Sequence, residues 1–470
     1  MLSLAAAACI LSQAKVRLPH ILSDNMVLQH STDVRLWGWD KPGRTVTVRA
    51  SWTDTPVTAK TGRDGRWEVR VHTPEAGYTP LSLTFDDGEQ TTLSGILAGE
   101  VWVAAGQSNM EMPVRGFDQC PVEGYNETVT SSAASAHAVR YCKIPSRMSM
   151  RPLDDADCRW LETTPANVTW ASATGYFFAR ALHRALDVPV GIVEANKGGT
   201  RVESWLSEDC LRAETDEHLD STSIYAMETD YYRPMVWGNA TFHPILPYTV
   251  RGILYYQGCS NVGYHTADYA RRLSMLVDEW RKGFGNNDLP FYLVEIAPYF
   301  YDDAEGTEGA LLREQQHLAA RQIVHSGIVG TNDCAYPHEM RQIHPTQKRK
   351  VGERLAYLAL GDTYGWSNLI YRSPSFESAS VDGDKVYVRL ADTEKGVQPI
   401  DGIEGFELAG DDGIFHKATA TADWQRGIIV TCPEVKKPKQ VAYCFHNFSL
   451  GNLRNQGGLP LLPFKEKLGK

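Results

Sequence analysis

Between residues 35 and 85 the chain alternates apolar and polar positions in short runs. Three runs have the two-residue period of strands that bury one face: TVTVRA from Thr45, WEVRV from Trp67 and LSLTF from Leu81. Turn signals such as Lys41-Pro42-Gly43 and Arg63-Asp64-Gly65 separate them. Short alternating runs between turns are typical of antiparallel sheets. Residues 15–97 are therefore predicted to form a β-sandwich-like domain.

The pattern changes at Val101, where the run VWVAA is apolar throughout. Comparable runs begin at Val190, Gly252, Pro290 and Gly327, and such strands are typical of a parallel sheet that is covered on both faces. Segments with the helical period lie between these runs, at residues 173–186, 267–280, 310–324 and 347–360. Strands that alternate with helices predict a doubly wound α/β domain over residues 98–367.

The two ends of the chain differ from this domain. Alternating runs return after residue 367 (KVYVRL, GIIVTC and VAYCF), so residues 368–470 are predicted to form a second β-rich, sandwich-like region. Residues 2–11 (LSLAAAACIL) have the length and apolarity of a signal-peptide core, although no Lys or Arg precedes them. We expect residues 1–14 to be a signal peptide or its remnant, and the protein to be secreted or periplasmic rather than cytoplasmic.

Composition excludes several classes of partner. Lys and Arg number 47 against 57 Asp and Glu, a formal net charge of -10, so there is no basic excess to bind nucleic acid. No apolar run after the first dozen residues approaches the roughly 20 needed to cross a bilayer. The nine cysteines include no CxxC pair of a metal site. Cys432 and Cys444 are the easiest disulfide pair if they flank a hairpin, with buried free thiols as the alternative. Nothing indicates the oligomeric state.

Side chains that carry chemistry follow the apolar strands, where parallel sheets place their sites. Ser108 follows a glycine turn that would expose its hydroxyl and direct its N–H into the same space, as a serine nucleophile with an oxyanion donor requires. Gly198-Gly199 lets the backbone approach a ligand closely. The side-chain amides of Gln257 and Asn261 are further candidate donors. Turn, capping and packing roles are the alternative for each of them.

A serine nucleophile needs a base, and His344 is the best placed of the 14 histidines. It lies in a loop after the last apolar strand, directly before Pro345 and a predicted helix, from which it can project over the strand ends. His243 and His338 are the competing candidates.

Four sequence blocks resemble, in the same order, those of the sialate O-acetylesterase family of SGNH (GDSL-type) hydrolases. They are Gly106-Gln107-Ser108-Asn109-Met110, Gly198-Gly199-Thr200, Tyr256-Gln257-Gly258 and Ile343-His344-Pro345. Segments near both ends are also similar to the family, so the match covers almost the whole chain. The resemblance implies an SGNH-type, flavodoxin-like parallel sheet with helices on both faces. It also implies hydrolysis of an acetyl ester on a sugar, without a metal or organic cofactor.

The resemblance assigns a role to each block. Ser108 would attack the ester carbonyl and His344 would take its proton, with an acetyl-enzyme as the intermediate. The N–H groups of Ser108 and Gly199, with an amide of Gln257 or Asn261, would hold the oxyanion.

Two positions depart from the family. Many members have Asp two residues before the histidine, where this chain has Gln342, so the third triad member is open. Glu339, Gln342 itself, Asp333 or a backbone carbonyl are the candidates. The second departure is Cys259, where the family usually has Glu.

Candidate substrate-binding residues adjoin these blocks: Gln107, Asn109, Arg201, Trp205 and Tyr256. Arg201 could face the carboxylate of a sialic acid with two parallel donors, the alternative being an ion pair with Glu203 or Asp209. Further aromatic candidates for the walls of a sugar site are Tyr232, Trp237, Tyr255 and Tyr264.

The sequence thus predicts a carbohydrate O-acetylesterase that acts on O-acetylated sialic acid. An acetylxylan-type polysaccharide deacetylase is an alternative, because the blocks encode ester cleavage rather than the identity of the sugar. A carbohydrate-binding homologue with weakened catalysis is another, supported only by Gln342 and Cys259.

Overall fold

A computed structural model describes residues 15–469, and the predicted signal segment at residues 1–14 lies outside them. The amino-terminal region consists of strands throughout. They are β1 (Val27–Gln29), β2 (Asp33–Trp39), β3 (Thr45–Ala50), β4 (Val57–Lys60), β5 (Arg66–His72), β6 (Gly77–Asp86) and β7 (Gln90–Gly106). β2 pairs with β5, and β3 pairs with β4 and β6, all antiparallel. β5 alternates strictly between buried and exposed positions, which confirms the strand predicted from its two-residue period.

Strand β7 joins the amino-terminal region to the central sheet without a break. Its first half pairs antiparallel with β6, and residues 97–99 pair in parallel with β1. From Glu100 onward it pairs with the next sheet. The division expected at residue 98 therefore falls inside one continuous strand, at the point where its pairing partners change.

The central region alternates helices and strands. Its elements are α1 (Ser108–Glu111), α2 (Tyr125–Ser132), β8 (Val139–Lys143), β9 (Trp160–Glu162), α3 (Ala173–Leu186), β10 (Val190–Asn196), α4 (Glu208–Glu214), α5 (Ser221–Ala226), β11 (Gly252–Tyr256), α6 (Tyr269–Phe284), β12 (Phe291–Val294), α7 (Glu308–Gln322), β13 (Ser326–Val329) and α8 (Lys348–Asp362). The five strands predicted from apolar runs and the four predicted helices are all present.

The sheet order is β13-β12-β11-β7-β10-β8-β9, with every pair parallel except β8 and β9. Residues of β7 point alternately to two apolar layers. Val101 and Val103 share one core with α6 and α7, whereas Trp102 and Ala104 share the other with α3 and α8. The expected α/β fold with helices on both faces is confirmed, but the central sheet is mixed rather than wholly parallel, because β9 pairs antiparallel with β8.

β7 lies between β10 and β11, so the chain must cross over β7 to pass from one to the other. Such a crossover leaves a crevice beyond the carboxyl ends of the strands, where ligands bind in open α/β sheets. The turns that follow β7, β10 and β11 all open at this place.

The carboxy-terminal region is rich in strands, as predicted. They are β14 (Ser375–Asp382), β15 (Lys385–Ala391), β16 (Val397–Gln398), β17 (Phe406–Ala409), β18 (Phe415–Lys417), β19 (Thr419–Asp423), β20 (Gly427–Thr431), β21 (Gln440–Tyr443), β22 (Arg454–Asn455) and β23 (Phe464–Lys467). They form the sheets β14-β15-β20-β19 and β18-β17-β21-β23 and the pair β16-β22. Cys432 and Cys444 are buried free thiols. The disulfide expected if they flank a hairpin is therefore not formed, and the two residues follow strands of different sheets, β20 and β21.

Among residues 15–469, no helix is both long and apolar enough to cross a membrane.

Candidate active site

Ser108 is the first residue of α1, directly beyond the end of β7. The turn requires glycine at position 106, where φ is +138° and a Cβ would lie 2.3 Å from the carbonyl oxygen of Tyr256. The N–H of Gln107 donates to that same carbonyl at 3.0 Å. Because Ser108 begins the helix, its own N–H has no acceptor within the helix. The half-buried Ser108 therefore presents a hydroxyl and a backbone donor at the carboxyl end of the central strand.

The loop that carries His344 is fixed to the residue next to Ser108. The buried Asn109 side chain donates from Nδ2 to the carbonyl oxygen of Ile343 at 2.9 Å. Lys348 donates from Nζ to Oδ1 of Asn109 at 2.8 Å and to the carbonyl oxygen of Pro345 at 2.6 Å. The carbonyls on both sides of His344 are thus held by one clamp, formed by Asn109 and Lys348. The clamp ties two segments that are more than 230 residues apart in sequence.

The His344 ring has few polar neighbours. Its Nε2 is buried and makes no hydrogen bond with any residue of the described chain. Its Nδ1 lies 3.9 Å from the Sγ of Cys120, and the ring of Phe117 meets it edge-on at a centroid distance of 5.2 Å. No bond joins Nε2 to Ser108, so within residues 15–469 this nitrogen is a free acceptor. Sequence reasoning overlooked Cys120 and Phe117, because they lie in a turn that resembles no family block.

Burial, together with the nearby charge of Lys348, lowers the pKa of His344 to about 4. The imidazole is therefore neutral at physiological pH, as a general base must be before it accepts a proton. Burial also lowers the pKa of Lys348 to about 7. Both shifts have the sign expected when a cationic form is removed from water.

The three side-chain candidates for the third triad member make other contacts. Glu339 accepts from the N–H of Tyr336 at 2.8 Å and from that of Thr346 at 2.9 Å. Asp333 receives both guanidinium nitrogens of Arg354 at 2.7 Å each.

Gln342 contacts the main chain of His344 and the thiol beside its ring. Its Oε1 accepts from the backbone N–H of His344 at 3.3 Å and from Cys120 Sγ at 3.2 Å. None of the three candidates contacts Nδ1 itself, so no carboxylate within the described residues faces the ring.

The glycine block lies against the serine. A Cβ built on Gly198 would be 3.3 Å from the Cβ of Ser108, so a side chain at this position would crowd the serine. The Gly198 N–H donates to a carboxylate oxygen of Glu111 at the end of α1. Gly199 has a φ of +79°, and the ring of Tyr231 covers it so closely that a Cβ would be 2.5 Å from a ring carbon. Within the described residues, the Gly199 N–H has no acceptor.

The amides of Gln257 and Asn261 form a network behind this loop. Gln257 Nε2 donates to the Thr200 carbonyl at 3.0 Å and to Asn261 Oδ1 at 2.9 Å. Asn261 Nδ2 donates to the Glu203 carboxylate at 3.1 Å. Both side chains are almost completely buried. The Gln257 amide is thus used in holding the glycine block, and the Asn261 amide in binding Glu203.

The Gln107 side chain links the ends of β7 and β11. Gln107 Oε1 accepts from the Gly258 N–H at 2.7 Å, and its Nε2 lies 3.4 Å from Ser260 Oγ. Cys259 is buried beside them. Burial raises the pKa of its thiol, so it is a neutral group at the position where the family usually has Glu.

Arg201 is held between two tyrosines next to the glycine block. Its guanidinium carbon lies 3.4 Å from the ring centroid of Tyr264 and 3.8 Å from that of Tyr232, and its Nε donates to the Ser260 carbonyl at 3.1 Å. Neither alternative ion pair is formed within the described residues: Glu203 pairs with Arg272 at 2.9 Å instead, and Asp209 does not pair with Arg201. Among residues 15–469 the half-buried Arg201 has no carboxylate partner.

The other aromatic candidates separate by burial. Trp205, Trp237, Tyr255 and Tyr256 are core residues, each no more than 8% exposed. Tyr231, which the sequence reasoning did not select, is 37% exposed and meets Tyr232 edge-on at 4.9 Å. The sequence feature that could have identified Tyr231 is the pair of adjacent tyrosines in a polar segment. The aromatic rim of the crevice therefore consists of Tyr231, Tyr232 and Tyr264.

The chain is similar to known carbohydrate esterases in sequence and in fold. Residues 98–360 match the model of the family described as carbohydrate esterase, sialic acid-specific acetylesterase. The sialate O-acetylesterase of Homo sapiens is 26% identical over 394 residues, 76% of this chain and 73% of that protein. The sialate O-acetylesterase of Mus musculus is 27% identical over 418 residues, which cover 76% of this chain and 75% of that protein.

A solved structure is similar over nearly the whole chain. The carbohydrate acetylesterase of Xanthomonas citri has a TM-score of 0.85 and 32% identity, covering 96% of this chain and 99% of that one. The family matched by residues 98–360 comprises carboxylic ester hydrolases of carbohydrate acetyl esters. The match spans more than half of the sequence, which confirms the family expected from the four blocks. The chain belongs to the sialic acid-specific acetylesterase family of carbohydrate esterases.

Proposed function

We propose that this protein is a serine esterase with an SGNH-type layout that removes acetyl groups from O-acetylated sialic acid, with Ser108 as nucleophile and His344 as base. The observation that carries the proposal is the hydrogen bond from Asn109 to the Ile343 carbonyl. It joins the residue after the serine to the residue before the histidine. It therefore holds the two reactive groups at one edge of the sheet.

In the first step Ser108 Oγ attacks the carbonyl carbon of the acetyl ester while its proton passes to His344 Nε2. Negative charge develops on the former carbonyl oxygen, and the N–H groups of Ser108 and Gly199 are the donors for it. Loss of one such donor costs about 3 kcal/mol of transition-state stabilisation. Collapse of the tetrahedral species breaks the bond to the sugar oxygen, which takes the proton from Nε2. The acetyl group stays on Ser108.

In the second step water attacks the acetyl-serine and gives its proton to the same Nε2. The tetrahedral intermediate then releases acetate, and Ser108 recovers its proton. His344 must be neutral at the start of each step, and its low pKa ensures this at neutral pH. The same environment stabilises the imidazolium poorly, because the described residues supply no carboxylate that faces the ring.

Arg201 is the feature that favours a sialic acid over a neutral sugar. Its guanidinium is clamped by Tyr232 and Tyr264 but has no anion partner among residues 15–469. A carboxylate on the substrate would supply that partner through two parallel N–H donors. An acetylated xylan has no such group, so this contact distinguishes the two substrate classes.

We also propose that the domain boundaries lie near residues 98 and 368, and that the protein is exported from the cytoplasm. Amino-terminal sequencing of protein recovered outside the cytoplasm tests the export, and a retained segment 1–14 on cytoplasmic protein would contradict it.

Turnover of an aryl acetate tests the catalytic pair. We expect Ser108→Ala and His344→Ala to lose at least a thousandfold in kcat, and an organophosphate to label the wild type but not Ser108→Ala. Ser378→Ala and His338→Ala, at exposed positions, are the matched controls and should remain active. A wild type without turnover or labelling would favour the carbohydrate-binding alternative, and equal activity of all variants would exclude the proposed pair.

A pair of natural substrates tests the specificity. In Arg201→Met we expect KM for O-acetylated sialic acid to rise about tenfold to a hundredfold, because hydrogen bonds to charged groups contribute about 1.5 to 3 kcal/mol. Turnover of the uncharged aryl acetate should stay near the wild-type value. Arg426→Met removes an arginine that lies over Tyr387 in the carboxy-terminal region and is the control. A wild type that prefers acetylxylan would exclude sialate as the substrate.

A further inference from the structure

A tight turn before α2 delivers two side chains to the His344 ring. Phe117 and Cys120 exchange both backbone hydrogen bonds, each 3.0 Å long. Gly116 enters the turn with a φ of +78°, and a Cβ there would lie 2.3 Å from the Cys120 carbonyl oxygen. The backbone is therefore fixed by steric contact and by hydrogen bonds. The positions of the Phe117 ring and the Cys120 thiol beside the imidazole follow from this geometry.

The Cys120 sulfur lies between two groups of the histidine block. It is 3.9 Å from His344 Nδ1, within reach for a weak hydrogen bond to the large sulfur atom, and 3.2 Å from Gln342 Oε1. That amide oxygen also accepts the backbone N–H of His344 at 3.3 Å. Together these contacts form a chain from Nδ1 to sulfur to the amide oxygen and back to the histidine main chain.

The direction of the chain follows from the chemistry of a base. In the proposed mechanism Nε2 accepts the serine proton, so in the resting enzyme Nε2 carries no hydrogen and Nδ1 carries one. The Nδ1–H then needs an acceptor to keep this tautomer. The Cys120 sulfur is the one polar atom within hydrogen-bonding distance of Nδ1 in the described part of the chain. Its own S–H is directed to Gln342 Oε1.

We propose that Cys120 is a positioning residue for His344. Its thiol accepts the Nδ1–H and donates its own S–H to Gln342. Gln342 occupies the position where family members with an aspartate present a carboxylate. The inference rests on the proposed function, since it requires His344 to be the base. It explains how a chain with Gln342 at this position keeps a single productive tautomer without an anion. A thiol that only filled space beside the imidazole would not affect the tautomer.

The thiol is a weak acceptor and brings no negative charge. Its loss should therefore cost less than the loss of a catalytic aspartate. In Cys120→Ala we expect kcat to fall about tenfold while KM stays within about twofold, because the proposed mechanism places the substrate at Nε2, the other nitrogen of the ring. Cys120→Ser keeps an atom that accepts and donates, so it should recover most of the loss. Cys158→Ala removes another half-buried free thiol and is the matched control.

The tautomer itself is the readout that separates positioning from packing. With ¹⁵N-histidine labelling, the wild type should show a protonated Nδ1 and a bare Nε2 for His344, assigned by comparison with His344→Ala. Cys120→Ala should shift the ring toward a protonated Nε2, and Cys120→Ser should restore the wild-type spectrum.

Two results would overturn the inference: wild-type kcat in Cys120→Ala, or an unchanged tautomer in that variant despite a lower kcat. The Ser108→Ala variant in the same assay reports on the proposed function alone. If that variant is inactive while Cys120→Ala is fully active, only the positioning role fails. If Ser108→Ala keeps full activity, the proposed function fails, and the positioning role that rests on it fails as well.

Discussion

Placing a charge at position 342 tests the account of His344 given by the structure. The environment of the ring contains Lys348 as a nearby cation and, among the described residues, no facing carboxylate. Gln342 Oε1 already acts as an acceptor for the His344 N–H and the Cys120 thiol. Gln342→Glu keeps the shape of the side chain and makes this acceptor anionic. Gln342→Asp introduces the residue that many family members have there.

The size of the effect follows from Coulomb's law. Two opposite charges about 5 Å apart interact by roughly 3 kcal/mol at an effective dielectric constant of about 20, which corresponds to about two pKa units. Burying the new carboxylate cancels part of this gain. We therefore expect the pKa of His344 to rise by about one unit above its value of about 4. The imidazolium formed in the transition state gains the same amount, so kcat should increase about tenfold.

The assay is aryl-acetate turnover measured from about pH 3 to 8, since the acid limb of kcat/KM reports the pKa of the base in the free enzyme. In the wild type this limb should lie near pH 4. In Gln342→Glu it should lie about one unit higher, with the increased kcat on the plateau. Gln342→Met has a similar shape and no charge, so it is the control. It should leave the limb in place.

An acid limb that does not move in Gln342→Glu would show that a charge at this position does not couple to His344. The explanation of the low pKa as burial without a counter-charge would then be wrong. A shift of equal size in Gln342→Met would assign the effect to the shape of the side chain instead.

Other predictions concern the clamp and the serine turn. Lys348→Met removes a cation beside His344, so the acid limb of kcat/KM should move to higher pH, while kcat falls about tenfold because the clamp on the loop is lost. Burial holds the pKa of Lys348 near 7 in the folded protein, below its value in the unfolded chain. The unfolded chain therefore binds the Lys348 proton more tightly than the folded protein does. The free energy of unfolding of the wild type, measured with urea, should therefore increase as the pH rises from about 7 to 10. In Lys348→Met this increase should be smaller. Gly106→Ala would place a methyl group 2.3 Å from the Tyr256 carbonyl oxygen. We expect this variant to lose at least about 1 to 3 kcal/mol in unfolding free energy. Gly77→Ala adds a methyl group where there is open space, so its unfolding free energy should stay near the wild-type value.

The sheet was predictable where strands are buried on both faces. The run at Val101 has side chains in both apolar layers, so every position is apolar and the pattern is unambiguous. β8 was not predicted, because Arg140 and Lys143 interrupt its run. The Arg140 guanidinium donates to the carbonyls of Asn25 and Gly95. A charged residue is accommodated in this strand because the amino-terminal region supplies these acceptors and Glu162 of β9 pairs with the guanidinium.

The candidate site was predictable in its parts and not in its connections. Parallel strands bring their carboxyl ends to one edge, so Ser108 and the glycine block could be placed together from the sequence. The tyrosines around Arg201 and the thiol beside His344 come from segments far apart in the chain, and no spacing rule relates them.

The sequence by itself determined the alternation of strands and helices, the family, and the residue types that can cleave an ester, because these follow from local periodicity and from short blocks. Only the tertiary structure decided what each group faces. It shows Glu339 bound to backbone N–H groups, Asp333 paired with Arg354, and His344 in a pocket to which residues 15–469 contribute no opposing charge. The reason is physical. Hydrogen-bond partners and dielectric environment depend on distances across the fold, whereas sequence patterns report only distances along the chain.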